Sequence, residues 1–186
     1  NANLQMAADR MARHDRRHHN LVLLEFANKN DIETVKDYLK TLVDDGSDSL
    51  GEINYCKNPT INTVLSVYEK KAKDAGIKVK ISARAGNDIP VSPKDMVIVI
   101  ANLFENAINA TKKLKSKEKI IDVDIREKET RLLVKIENPC KTNLKFDEAD
   151  YGIGISSVIT TTEKYEGMYD FTAQDGTFSS KVCLNY

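Results

Sequence analysis

The chain has 186 residues, with 28 Lys+Arg against 28 Asp+Glu and a formal net charge of zero, so it lacks the basic excess of a general nucleic-acid binder. Its three cysteines, Cys56, Cys140 and Cys183, are odd in number, far apart and without a CxxC pair; they argue against a disulfide framework and read as reduced thiols in a cytosolic protein. No apolar run approaches the ~18 residues of a membrane span, and the polar, mixed-charge residues 1–20 do not read as a signal peptide.

In chain order, residues 3–28 contain neither Pro nor Gly. Leu4, Ala7, Met11, Leu21 and Leu24 recur at a helical period, with His14 and His18 in the same seam. Lys29 to Asp31 breaks the pattern, and Asp31 is a good N-cap for a second helix over 32–44 with Ile32, Val35, Leu39, Leu42 and Val43 on one face. Two amphipathic helices joined by a tight turn make a helical hairpin too small to bury its own stripe. It is expected to pair with a second copy in a four-helix bundle. The loop GSDSLGE, Gly46 to Glu52, separates this unit, 1–48, from a second one, 52–186.

The second unit is predicted to begin with a helix over 60–75 that stops at Gly76, followed by an alternating strand over 77–83. Ser92-Pro93 marks the start of a helix over 93–114. Residues 120–127 and 131–137 read as a hairpin, 153–164 as a helix, and 167–174 and 177–186 as strands joined by an Asp-Gly turn. The fold class is α+β: a helical hairpin followed by a sandwich with helices on one face of a mostly antiparallel sheet.

Three stretches carry chemistry. In NLFENAINA, Asn102, Asn106 and Asn109 share one helix face and Glu105 lies one residue off it. Such polar groups on an apolar helix are either solvated or arranged to hold a hard cation and its phosphates. In YGIGISSV, Gly152 and Gly154 precede a helix, where backbone can approach an anion; an ordinary turn has the same appearance. In DGTF, Thr177 follows a hairpin turn. All three histidines fall in RMARHDRRHHN, Arg10 to Asn20. His14 and His18 are an i, i+4 pair but lack a third ligand for a metal. Imidazole beside an acid is also a nucleophile, and Asp15 directly follows His14. Arg13, Arg16 and Arg17 read equally as solvated charges or as groups that meet developing phosphate charge.

Taken in this order and spacing, the motifs resemble the histidine-kinase catalytic core of the GHKL superfamily, with its Bergerat-type ATP-binding sandwich. NLFENAINA resembles its N box, YGIGI its second glycine box, DGTF its threonine-bearing strand and RHDRRHH its histidine box; the RHD form is similar to the peptide-quorum-sensing, AgrC-like class. The resemblance spans about Arg10 to Leu184. It departs from the family at IENPC, where Asn138 stands in place of the aspartate of D-x-G-x-G and no glycines follow.

The resemblance implies ATP and Mg²⁺ as cofactors, with Asn106 as metal ligand, Asn102, Asn109, Asn138, Gly152, Gly154 and Thr177 around the nucleotide, and Glu105 as a catalytic residue that supports the phosphates or the metal's waters. It implies autophosphorylation of His14 with Asp15 as partner, His18 and His19 being weaker candidates, and closure of the two units about residues 46–51. It further implies a homodimer through the hairpin, phosphoryl transfer to an aspartate of a response regulator (of LytTR type), and no direct nucleic-acid or membrane contact by this segment. The chain begins with Asn, and it is expected to be the cytoplasmic portion of a membrane-bound sensor. The rival functions are a GHKL serine kinase of anti-sigma type and a catalytically silent nucleotide-binding scaffold.

Overall fold

The computed structural model describes residues 16, 19–42, 54–115, 119–142, 147 and 151–186. His14, Asp15, His18 and the 46–51 loop lie outside them. Contacts divide the chain into two compact units, Asn1–Ser49 and Leu50–Tyr186.

In the first unit, α1 (19–28) and α2 (Ile32–Leu42) are the part of the expected hairpin that falls among the described residues. Asn30 takes the left-handed conformation at φ 55°, and the Asp31 amide donates to the Phe26 carbonyl at 3.1 Å, closing α1. Asp31 Oδ1 then accepts from the Thr34 amide at 3.1 Å and starts α2. The helices meet through Tyr38, whose hydroxyl is hydrogen-bonded to His19 Nδ1 at 2.8 Å and whose ring packs edge-on against Phe26. Four stripe residues, Leu21, Leu24, Ile32 and Leu39, remain 40–56% exposed in the single chain.

The second unit runs α3 (Pro59–Asp74), β1 (Lys78–Arg84), α4 (Pro93–Lys112), β2 (Ile120–Lys128), β3 (Arg131–Pro139), α5 (Ile153–Lys164), β4 (Met168–Gln174) and β5 (Thr177–Asn185). Asn58 caps α3 through the Ile61 amide, and Ser92 caps α4 through the Asp95 amide; in both, proline occupies the first turn. The sheet has the order β1-β2-β3-β5-β4. Only β1 and β2 are parallel, because α4 crosses between them; the remaining pairs are antiparallel. The β4–β5 turn places Asp175 and Gly176 at φ 49° and 78°, the pattern of a type I′ hairpin.

Strand alternation sets the two layers. Ile121, Val123, Ile125, Leu132, Val134, Ile136, Val182 and Leu184 are buried in one core with Ile61, Leu65, Ile100, Leu103, Phe104 and Ile108 of the helices. The other face is polar and carries the ion pairs Arg126–Asp124, Lys135–Glu137 and Lys181–Asp170. The three cysteines are free thiols.

Candidate functional site

The site begins on α4. Its apolar face packs against the sheet, and this exposes Asn102, Glu105, Asn106 and Asn109 away from the core to differing degrees. Asn102 is held by its own helix, with Nδ2 donating to the Ile98 carbonyl at 2.7 Å. Its Oδ1 then lies against Gly154: a Cβ built on that glycine would sit 2.9 Å from it, closer than real side chains approach. Glycine at 154 therefore lets the first turn of α5 come down onto Asn102. Gly152, by contrast, has open space around it.

α4 and α5 are antiparallel, since Asp95 near the start of α4 bonds Lys164 at the end of α5 while Asn102 meets Gly154 at its beginning. α5 thus starts level with Asn102, and α4 continues about three turns beyond it, carrying Asn106 and Asn109. Gly152 occupies the N-cap of α5 with extended backbone, so no side chain caps the helix. The amides of the first turn are left as donors, where the helix dipole favours an anion.

Glu105 belongs to a different set of contacts. Its carboxylate accepts from Lys71 Nζ of α3 at 2.5 Å and from Asn109 Nδ2 at 3.3 Å. Lys71 also lies over the Tyr68 ring, and burial, with Glu105 nearby, pushes the Tyr68 hydroxyl up from its ordinary value. The structure therefore joins Glu105 to Asn109 and to a cation that the sequence reading did not include.

Asn138 lies near the end of β3, buried at 3% exposure on the helix-facing side of the sheet. Its Nδ2 donates to the Pro139 carbonyl at 2.9 Å, which orients the amide and leaves Oδ1 as the acceptor. Asn138 is paired with Phe178, and Thr177 with Pro139. By alternation, Thr177 projects from the opposite face to Asn138, although both border one cleft at this end of the sheet. Ser180, buried and on the same face, is the diagonal neighbour of Asn138. A cleft of ≈ 310 Å³ at this end is lined by Ile120, Asp122, Glu137, Asn138, Pro139 and Thr177. Its two carboxylates make it a poor place for polyphosphate. Among the histidines, His19 is half-buried against Tyr38. Among the described residues no group of three His, Cys, Asp or Glu gathers to hold a metal ion.

A two-layer α/β sandwich with an uncapped, glycine-opened helix set against an asparagine-bearing helix defines a class, and the comparisons place the chain in it. Residues 91–185 match the family model described as a GHKL domain. The chain belongs to that family. Its fold is that of histidine kinase catalytic domains. The catalytic domain of ThkA is 16% identical with a TM-score of 0.55, covering 68% of this chain and 89% of the other. The Acinetobacter baumannii histidine kinase AdeS is 14% identical with a TM-score of 0.56, covering 84% and 80%. The histidine kinase domain of the Erythrobacter litoralis EL346 blue-light activated kinase is 12% identical with a TM-score of 0.58, covering 80% and 69%. No curated protein is similar enough in sequence to count as a match. No helix among the described residues is long and apolar enough to cross a membrane.

Proposed function

We propose that the chain is the core of a two-component sensor histidine kinase, in which residues 52–186 bind ATP with Mg²⁺ and residues 1–48 form the dimerising hairpin that carries the phosphoacceptor. The observation that carries this reading is the contact of Gly154 with Asn102, which sets the free amides at the start of α5 beside the polar face of α4. Phosphate oxygens are the ligands such a helix N-terminus takes. Asn106 supplies a neutral oxygen to the metal, while Asn102 and Asn109 hold phosphates or metal-bound water. When bound, Mg²⁺ supplies positive charge to the phosphates. Glu105, tied to Lys71 and Asn109, fixes the far end of this polar row. Oδ1 of Asn138 accepts from an adenine amino group, with its amide nitrogen already committed to Pro139. Ser180 takes the neighbouring place first assigned to Thr177.

The transfer breaks the bond between the γ-phosphorus and its bridging oxygen and forms a bond to a ring nitrogen of His14. Asp15 holds or accepts the imidazole proton. Positioning and charge do most of the work in such a transfer. The exposed stripe Leu21, Leu24, Ile32 and Leu39 supports the homodimer, because a second hairpin would cover it. The phosphoryl group then passes to an aspartate of a response regulator, and the AgrC-like, LytTR-linked class is the finer assignment.

The test is incubation with γ-labelled ATP and Mg²⁺ for wild type and His14→Gln. Acid-labile, base-stable label in the wild type alone is the expected result. Label that survives acid would point to a serine kinase, and ATP binding without label to a silent scaffold.

A further inference from the structure

The first turn of α4 contains Ser92 and Asp95 at the spacing of a capping box, in which the acid at the third helical position turns back to the N-cap amide. Half of the box is present: Ser92 Oγ accepts from the Asp95 amide at 3.2 Å. The other half is diverted. The Asp95 carboxylate, in a residue only 6% exposed, accepts from Lys164 Nζ at 2.6 Å and from the Tyr165 hydroxyl at 2.7 Å. That same hydroxyl oxygen accepts from the Ser92 amide at 3.0 Å. A side chain at the C-cap of α5 therefore completes the N-cap of α4.

This clamp holds the end of α5 opposite to its glycine turn. The twelve-residue helix between them spans about 16 Å. Its buried residues are Ile155, Val158, Thr161 and Thr162, and only two of these are large and apolar; beside the relay, its end is tied to β5 by the Asn185 amide, which donates to the Tyr165 carbonyl at 3.3 Å. So few interdigitating side chains resist axial sliding weakly. A hydrogen-bonded relay fixed at one end resists it strongly. We propose that the Ser92–Tyr165–Asp95 relay is a positioning device for the candidate nucleotide site: it sets the axial register of α5 on α4, and so keeps the amides around Gly154 level with Asn102. Tyr165 and Asp95 are positioning residues that act through α5 and touch no ligand. The inference rests on the nucleotide reading above.

The experiment compares Tyr165→Phe and Asp95→Asn in the full chain, with Glu163→Gln as a variant that removes an exposed charge of α5 and leaves the relay intact. Mg²⁺-ATP affinity is read by displacement of a fluorescent nucleotide, and amide hydrogen exchange is followed in the first turns of α4 and α5. Tyr165→Phe removes both hydrogen bonds of that hydroxyl, the one to the Asp95 carboxylate and the one from the Ser92 amide, and predicts affinity about tenfold weaker. Faster exchange is expected at both helix starts, although they lie at opposite ends of α5. Glu163→Gln should stay within about twofold of wild type, the scale of an exposed charge outside the relay. A lower melting temperature with unchanged affinity and unchanged exchange around Gly154 would overturn the proposal and leave the relay a plain cap. Should Tyr165→Phe fail to fold, Asp95→Asn, which keeps every ring and hydroxyl, decides by the same readouts. Should the wild type bind no ATP, the nucleotide reading fails, and exchange at residues 153–156 alone decides whether the relay sets α5.

Discussion

Asn102 can step aside for a larger neighbour only by giving up its bond to the Ile98 carbonyl, because its amide nitrogen is held there while its oxygen faces Gly154. Gly154→Ala is therefore expected to lower Mg²⁺-ATP affinity by at least about tenfold, as the helix start is pushed from its partner. Gly152→Ala should fold as stably as wild type, since no protein atom crowds it and its φ of −81° suits any residue. Titration calorimetry checks the first and a thermal melt the second. Asp95 gives a second prediction at this scale. The hydrogen bond from Lys164, with smaller help from Tyr165 and Ser92, holds its carboxyl below the ordinary 3.8. A depressed folded value contributes stability above the unfolded one and loses it as pH falls through the folded one. The stability gap between wild type and Asp95→Asn should be constant from neutral pH down to about 3.8 and close below it, as thermal melts across pH will register. The sequence shows Gly154 through the order of its motifs, since the glycines of YGIGI by themselves look like an ordinary turn. It does not show that Tyr165 completes the cap of Ser92, a contact made across 73 residues of chain. Nor does it separate Thr177 from Ser180, because the face each presents depends on strand register.

At the scale of elements, local signals carry most of the reading. Asp31 and Ser92-Pro93 stand at two helix starts, and Asp175-Gly176 at a hairpin turn, whereas the Asn58 cap of α3 is seen only in the structure. Asn58 does two tasks from a buried position, accepting from the Ile61 amide and donating to the Asn87 carbonyl. Asn58→Ala should cost about 1–2 kcal/mol in urea unfolding, mostly from the lost cap. Phe104 is fully buried and stacks on Tyr68 with ring centroids 5.6 Å apart, which joins α4 to α3. Phe104→Ala should cost about 3–5 kcal/mol. The parallel pairing of β1 with β2 is less legible than these, because both strands alternate in the same way whichever direction they run. The crossing helix decides it.

At the scale of the molecule, the two units differ in how far they satisfy themselves. The α/β unit closes its own core, whereas the hairpin leaves Leu21 and Leu24 more than half exposed. Replacing both with Lys should turn the proposed dimer into a monomer in analytical ultracentrifugation and leave nucleotide affinity within about twofold of wild type. The strand order has a consequence for biosynthesis. Among the described residues β4 pairs with β5 alone, and β5 fills the slot between β4 and β3. Until β5 has been made, the growing chain carries an unpaired strand and an open sheet edge, the surfaces that invite association with other nascent chains. Release of this unit in finished form therefore waits on its last nine-residue strand, Thr177–Asn185, and a ribosome that stalls before it exposes an aggregation-prone intermediate.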